Sequence, residues 1–557
     1  MKNVGNDNNV IQFVKSGKIL AEIADEKAAD GDFEGALSNY LEIERVYKFS
    51  GELFRNIANS FTQLGMYEMS ITYWFKFLNY VSKRHYAEAY NGLGGNYYLL
   101  KNNELAAYYF NLQINDKGDK ELPFDDYMYQ LFFAAQENAR PIKLVDAQGE
   151  IDSKNIEKAK RTFEKNPTEA YNLLSEIKSD SSQYGNALIT MAAFNMVNEK
   201  IDLAVEQYKQ ALDYSEQREY ALNNLLGCYA VLNDYEKADT VVQQLKSNDC
   251  KDFDQCAKFF HLFHALNDNA GAYTYALYLS AIFDNPDLYY YTACAAFNCE
   301  KYDEAEELFN KHYRITDFFV SLEHAKLCKN PKRFKKKRAE KISYMQELHP
   351  SYISQLEKSV ARYMTMSAAS FKRRASDLIE LSRLCFGTSR LDLQGLSCQL
   401  VAILKNNRAE KYLKNLLIDP AVNDKVKILI LSLLVDMEND KLTGLVYGGV
   451  YTRIQYEKVQ FTEENGEVFY SAYAVAFGRI APYDESVLYK LKISAYDIYY
   501  KLISNGTARK VSDVIALAAI IILRAGINVG GSIERLLDYV GSDMPAVEKI
   551  MKLIDED

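Results

Sequence analysis

Residues 222–245, LNNLLGCYAVLNDYEKADTVVQQL, set two amphipathic helices on either side of a polar turn at Asn233-Asp234. Leu222, Leu225, Leu226 and Tyr229 recur at i, i+3, i+4 and i+7, and Tyr235, Ala238, Val242 and Leu245 form a second stripe. That spacing places side chains on one face of an α-helix. A hairpin this short cannot bury either stripe alone, so it must lie against further copies of the same unit. The expected object is an extended helical surface for holding something.

The same pattern returns along the chain. Small residues that open the second helix's contact with its neighbour fall at Ala36, Ser70, Ala106, Ala170, Ala204, Ala238, Ala272 and Ala305, at intervals of 34, 36, 64, 34, 34, 34 and 33. Large side chains follow four positions later at Tyr40, Trp74, Phe110, Leu174, Tyr208, Val242 and Phe309, and aromatics precede by three at Phe33, Tyr67, Tyr235 and Tyr302. Ala58, Gly94, Ala192 and Ala293 stand where two first helices would approach. A helix-turn-helix period near 34 resembles the tetratricopeptide repeat family over roughly residues 16–320. The resemblance implies an all-α solenoid of about eight repeats and a concave face lined by each repeat's first helix.

The interval of 64 between Ala106 and Ala170 divides the repeats. The expected plan is an N-terminal tail (1–15), a first block (16–116), a connecting segment (117–150) with a helix at 125–138 and an extended stretch at 141–151, and a second block (151–328). A basic junction (329–341, KNPKRFKKKRAEK) and a C-terminal helical domain (342–557) follow. Within the last, Ala409 to Met437 reads as two helices around Asp419-Pro420, and Tyr447 to Phe461 carries an alternating run that breaks the helical rhythm and suits a strand or hairpin. Gly448-Gly449 reads as a bend. LVDAQGEIDSKNIEKA (144–159) and LLIDPAVNDKVKILIL (416–431) resemble a tetratricopeptide family of clostridial and related bacteria; that resemblance implies architecture and a bacterial cytosolic setting, and no activity.

Composition bounds the function. A net charge of −10 argues against a chain-wide binder of nucleic acid or anionic membrane. The longest strongly apolar run, Val514 to Leu523, falls short of a bilayer about 30 Å thick. The first 18 residues lack the apolar core of a secretory signal, and the eight cysteines lack a paired framework, so reduced thiols and a cytoplasmic location are expected.

By register, the concave face carries Arg55, Asn56, Asn59, Asn91 and Tyr98 in the first block, and Asn223, Asn224, Lys258, His261, His264, Tyr290 and Tyr291 in the second. An Asn amide bonds both the N–H and the C=O of an extended peptide, and Tyr offers a ring with a polar tip. The leading expectation is therefore a protein-interaction scaffold that binds a peptide or partner protein, with a peptide-responsive receptor as the alternative. The family's carboxylate-gripping variant is met only by Arg55 and Asn59, since Gly92 stands at its second site. Lys332, Arg333, Lys335, Lys336, Lys337 and Arg338 form a basic patch that would serve a nucleic-acid factor, against the acidic balance of the whole. Cys250, Cys256, His261, His264, Cys294 and Cys299 cluster in sequence without the tight pairs that structural zinc requires. No phosphate loop, nucleophile elbow or local nucleophile–base pair is present, so neither cofactor nor enzymatic activity is expected.

Overall fold

The structure is a computed structural model. It describes residues 17–47, 50–117, 141, 147–163, 165–214, 218–232, 234, 236–237, 240–241, 253–257, 260, 263, 267–329, 341–366, 375–436, 442–455, 459–482, 487–527 and 532–555. The chain divides into two compact units. Unit one gathers 1–48, 60–67 and 121–349; unit two gathers 49–59, 68–120 and 350–557.

Among the described residues the fold is all-α apart from one β-hairpin. The first repeats are α1 (Gly17–Ala29) with α2 (Phe33–Val46), α3 (Gly51–Gln63) with α4 (Tyr67–Tyr80), and α5 (Tyr86–Leu99) with α6 (Asn103–Lys117). The second series runs α7 (Ala147–Thr162), α8 (Pro167–Ser175), α9 (Tyr184–Val197), α10 (Ile201–Ala211), α11 (Arg218–Val231), α12 (Phe253–Ala257), α13 (Asn269–Leu279), α14 (Asp287–Asn298), α15 (Tyr302–Thr316) and α16 (Phe319–Cys328). The expected helix at 125–138 lies outside the described residues, and the stretch expected to be extended is helical from Ala147, where α7 begins.

The repeat is real at the level of packing. Ala36, Ser70, Ala106, Ala170, Ala204, Ala272 and Ala305 are all fully buried; Ala238 lies outside the described residues. A small side chain there lets two helix backbones approach closely enough to exclude water from their flanks. Gly94 on α5 shows the same demand at a first helix. A Cβ built on it would meet the Phe110 ring of α6 at 2.7 Å, so the aromatic four residues after Ala106 occupies the space that glycine leaves.

The turn inside the hairpins also repeats. Five residues before the small position, Gly31, Gly65, Lys101, Glu199, Asn267 and Glu300 all adopt positive φ, between 57° and 84°. The next residue's N–H then reaches back five positions, as in Asp32 to Lys27 O (2.8 Å), Asn102 to Tyr97 O (2.8 Å) and Lys301 to Ala296 O (2.9 Å). This left-handed cap satisfies carbonyls that the first helix leaves unpaired and reverses the chain.

In unit two the C-terminal domain follows: α17 (Pro350–Met364), α18 (Ala375–Phe386), α19 (Leu391–Ala402), α20 (Asn407–Ile418), α21 (Asp424–Asp436), strands β1 (Thr443–Tyr447) and β2 (Val450–Ile454), then α22 (Gly466–Ile480), α23 (Leu488–Ser504), α24 (Val514–Arg524), α25 (Ile533–Val540) and α26 (Met544–Asp555). Ala516 to Ile522 of α24 are buried on every side, which makes it the central helix, packed against α22, α23, α25 and α26. No described helix is long and apolar enough to cross a membrane.

The bend expected at Gly448-Gly449 is the turn of the β-hairpin. These two residues have φ of 56° and 75°, the left-handed pair that a two-residue turn favours because it matches strand twist. The outer edges of the strands are closed by side chains. Tyr109 Oη donates to Gly449 O (2.6 Å) and accepts from Tyr451 N (3.2 Å). Lys427 Nζ donates to Val446 O (2.7 Å), and burial pushes its pKa down to about 8. Arg453 Nη2 donates to Leu78 O (3.0 Å) and Val81 O (2.9 Å), capping the C-terminus of α4. The hairpin thus fixes the C-terminal domain to α4 and α6, the second helices of their repeats.

Candidate interaction surfaces

Two first-helix faces can be compared, one in each unit. In unit two, Arg55, Asn56 and Asn59 lie on α3, and Asn91 and Tyr98 on α5. Asn59, Asn91 and Tyr98 are exposed and Arg55 is half-exposed. Arg55 Nη1 sits 3.5 Å from Glu88 Oε1, which spans α3 and α5 and puts the two helices on one surface. Its other bonds run to Glu52 (3.2 Å) and Asn56 (3.3 Å), so the guanidinium is neutralised from two sides and the surface is polar with an acidic lean.

In unit one the corresponding face at the end of the repeats is covered by the chain itself. Residues 341–349 form neither helix nor strand, bend at 344–346, and lie against the start of α13 and the end of α14. Asn298 holds Ile342 by both backbone groups: Ile342 N donates to Asn298 Oδ1 (2.8 Å) and Asn298 Nδ2 donates to Ile342 O (2.9 Å). Asn298 Nδ2 also reaches Asn269 Oδ1 (3.1 Å), which accepts from Tyr344 Oη (3.1 Å). Ile342 and Tyr344 are buried to 0% and 1% exposure, while Met345 is exposed. The Tyr344 ring lies 5.6 Å from Phe260, and Phe260 stacks on Tyr291 at 4.4 Å. At the segment's end, His349 N donates to His324 Nε2 (3.2 Å). Burial, with His349 beside it, pushes the His324 pKa down to about 3, so the ring is neutral and can accept.

This covering corrects the placement of Tyr290 and Tyr291 on an open face. Both are buried, because α16 and the 341–349 segment enclose the side of α14 that a first helix otherwise leaves free. Tyr290 packs against Phe309, His312 and His324 instead. Asn224 turns back on its own helix, its Nδ2 donating to Tyr220 O (2.8 Å). The side chain of Asn223, the residues Lys258, His261 and His264, and the basic patch Lys332 to Arg338 lie outside the described residues. Of the flanks of that patch, Lys329 pairs with Glu306 (3.2 Å) and Lys341 with Asn267.

Sequence spacing gave no nucleophile with a local base, yet the fold brings one together. His312 Nδ1 lies 2.7 Å from Ser321 Oγ and its Nε2 lies 3.0 Å from Asp287 Oδ1. Since the carboxylate only accepts, Nε2 carries a proton, and Nδ1 shares the other hydrogen bond with the serine hydroxyl. Ser321 is 0% exposed, so no substrate reaches its hydroxyl, and the relay ties α14, α15 and α16 together. Among the described cysteines, Cys256 is disulfide-bonded, against the expectation of reduced thiols throughout, and the described residues hold no group of three metal-ligating side chains.

A cleft of about 600 Å³ opens in unit one, where Lys27, Asp32 and Glu34 face Asp284, Lys311 and Arg314. Its charges are largely paired within the wall: Lys311 with Glu34 (3.3 Å) and Lys27 with Asp32 (3.6 Å).

No family model matches the chain, and no curated protein matches it. Among solved structures, the chain is similar to the crystal structure of yeast Tom70, at 12% identity over 96% of this chain and 95% of that one, with a TM-score of 0.19. So loose a likeness adds nothing to the repeat assignment, which stands on the recurring buried residues and turns of this chain.

Proposed function

We propose that this protein is an interaction scaffold whose first-helix faces bind extended peptide segments of partner proteins. The open face of unit two, at Arg55, Asn56, Asn59, Asn91 and Tyr98, is the binding surface for a partner in trans. The observation that carries this reading is the mode in which Asn298 grips the backbone of Ile342: an Asn amide on a first helix takes one N–H and one C=O of an extended chain. Asn59 and Asn91 offer the same group, exposed, on a surface joined by the Arg55–Glu88 pair. Glu52 and Glu88 beside them favour a segment that carries Lys or Arg.

The test is selection of displayed random peptides on the full-length chain, followed by affinity measurement against Asn59→Ala/Asn91→Ala. Selected peptides enriched in basic residues should lose about tenfold in affinity for the double variant, the worth of one or two hydrogen bonds. Enrichment of nothing, or peptides indifferent to both substitutions, would remove the proposal. No described residue supports the nucleic-acid alternative, whose basic patch lies outside them.

A further inference from the structure

The 341–349 segment has the features of a bound peptide. It has neither helix nor ladder to hold it. Side chains of the surface hold its backbone at Ile342, through two bonds with Asn298, and at Ser343, whose carbonyl meets Cys294 Sγ at 3.8 Å, while Met345 N donates to the segment's own Ser343 Oγ (3.2 Å). Its apolar anchors, Ile342 and Tyr344, alternate with partly exposed Lys341, Ser343 and exposed Met345. Anchors at every second residue with main-chain bonds from the receptor are how an extended peptide is recognised. Gln346 bends away with a φ of 53°, a left-handed conformation that a side chain other than glycine adopts at a cost.

We infer that the face built by α13, α14 and Phe260 is a second peptide site, that residues 341–345 are its resident occupant, and that a partner segment with an aliphatic residue two positions before a tyrosine competes for it. The inference rests on the reading of first-helix faces as peptide sites and names the ligand chemistry of one of them. A tethered occupant acts at high effective concentration, so it screens the site against weak ligands and yields only to a stronger or more abundant one.

The probe is a fluorescein-labelled peptide of residues 341–348, KISYMQEL, titrated into the full-length protein. The wild type should take it up weakly. Ile342→Ser/Tyr344→Ser, which removes the resident anchors, should raise its affinity at least about tenfold, and adding Asn298→Ala should reverse that gain. Asn59→Ala/Asn91→Ala should leave this binding unchanged, which separates the site from the open face of unit two. Equal affinity for wild type and anchor variant overturns the inference, as does no binding by an anchor variant whose helical circular dichroism is intact. An independent readout needs no substitution: excess unlabelled peptide should speed amide exchange at 341–345 of the wild type. Unchanged exchange at saturating peptide would equally overturn it.

Discussion

The face at α13–α14, a second helix and the first helix after it, is covered and buried, whereas the face at α3–α5, two first helices, is exposed. Under the filled face, burial has changed the chemistry. His324 is held neutral, the thiol of Cys294 is pushed well above its ordinary range by desolvation, and two Asn side chains are committed to backbone and tyrosine partners. On the open face Asn59 and Asn91 are exposed, and Arg55 is balanced by exposed carboxylates. One helical repeat thus yields a surface that is strongly coupled to folding in one place and nearly free of it in the other. That freedom is what a site for an exchanging partner needs, since binding energy is then not consumed in rebuilding the protein.

The largest expected difference is in acid. A histidine with a pKa near 3 in the fold and 6.5 when unfolded lets the unfolded chain bind more proton throughout that interval. Stability present above pH 6.5 is therefore lost as pH falls toward 3, by up to about 5 kcal/mol across the window. Urea denaturation at successive pH values should show this loss in the wild type and a much smaller one in His324→Asn. Trp74, the sole tryptophan, lies on α4 in unit two and should report the same pH dependence for both proteins. Matching slopes in unit one would mean that the filled face is not the acid-sensitive element.

The next contrast comes from single asparagines. Asn298→Ala strips two bonds from buried Ile342 and leaves both backbone groups unpaired, which costs about 2–3 kcal/mol. Asn59→Ala, at an exposed position, should change stability by less than about 0.5 kcal/mol. Thermal unfolding of the two variants measures the pair, and similar losses would erase the distinction between the faces. Between these sits Glu88→Gln, which breaks the exposed Arg55 pair and should cost at most about 1 kcal/mol, less at high salt.

Much of the architecture was readable before any coordinates, because a buried small residue every 34 positions is a local and periodic demand. Ala36 through Ala305 answer to it directly. What escaped depends on partners remote in sequence. Tyr290 and Tyr291 follow the register of an open first helix, and α16 together with the 341–349 segment, some thirty to fifty residues on, encloses them. The strand or hairpin expected within 447–461 is present, but it starts earlier, at Thr443, where the first strand is buried as far as Val446 and shows no alternation. His312 and Ser321 meet Asp287 across a turn and a helix, at distances in sequence that match no catalytic motif. The open face was placed by register alone, and Asn59, Asn91 and Tyr98 are exposed there because nothing described in unit two covers them.

The smallest effect is one in which the two faces should not differ at all. The left-handed turn is common to both units: Lys101 adopts a φ of 57° in unit two and Glu300 a φ of 64° in unit one. A side chain there brings Cβ against the following carbonyl, a strain of about 1–2 kcal/mol that glycine avoids. Glycine returns part of that gain through the greater freedom of its unfolded chain, so Lys101→Gly and Glu300→Gly should each stabilise by about 0.5 kcal/mol. Urea midpoints read by Trp74 fluorescence for the first and by amide exchange along α14 and α15 for the second test the pair. Equal small gains would mean that the repeat's own geometry is the same in both places, leaving the covering segment as the source of every larger difference. A gain at Lys101 with a loss at Glu300 would instead show that the filled face constrains its turn as well, and that its occupant is part of the fold rather than a ligand.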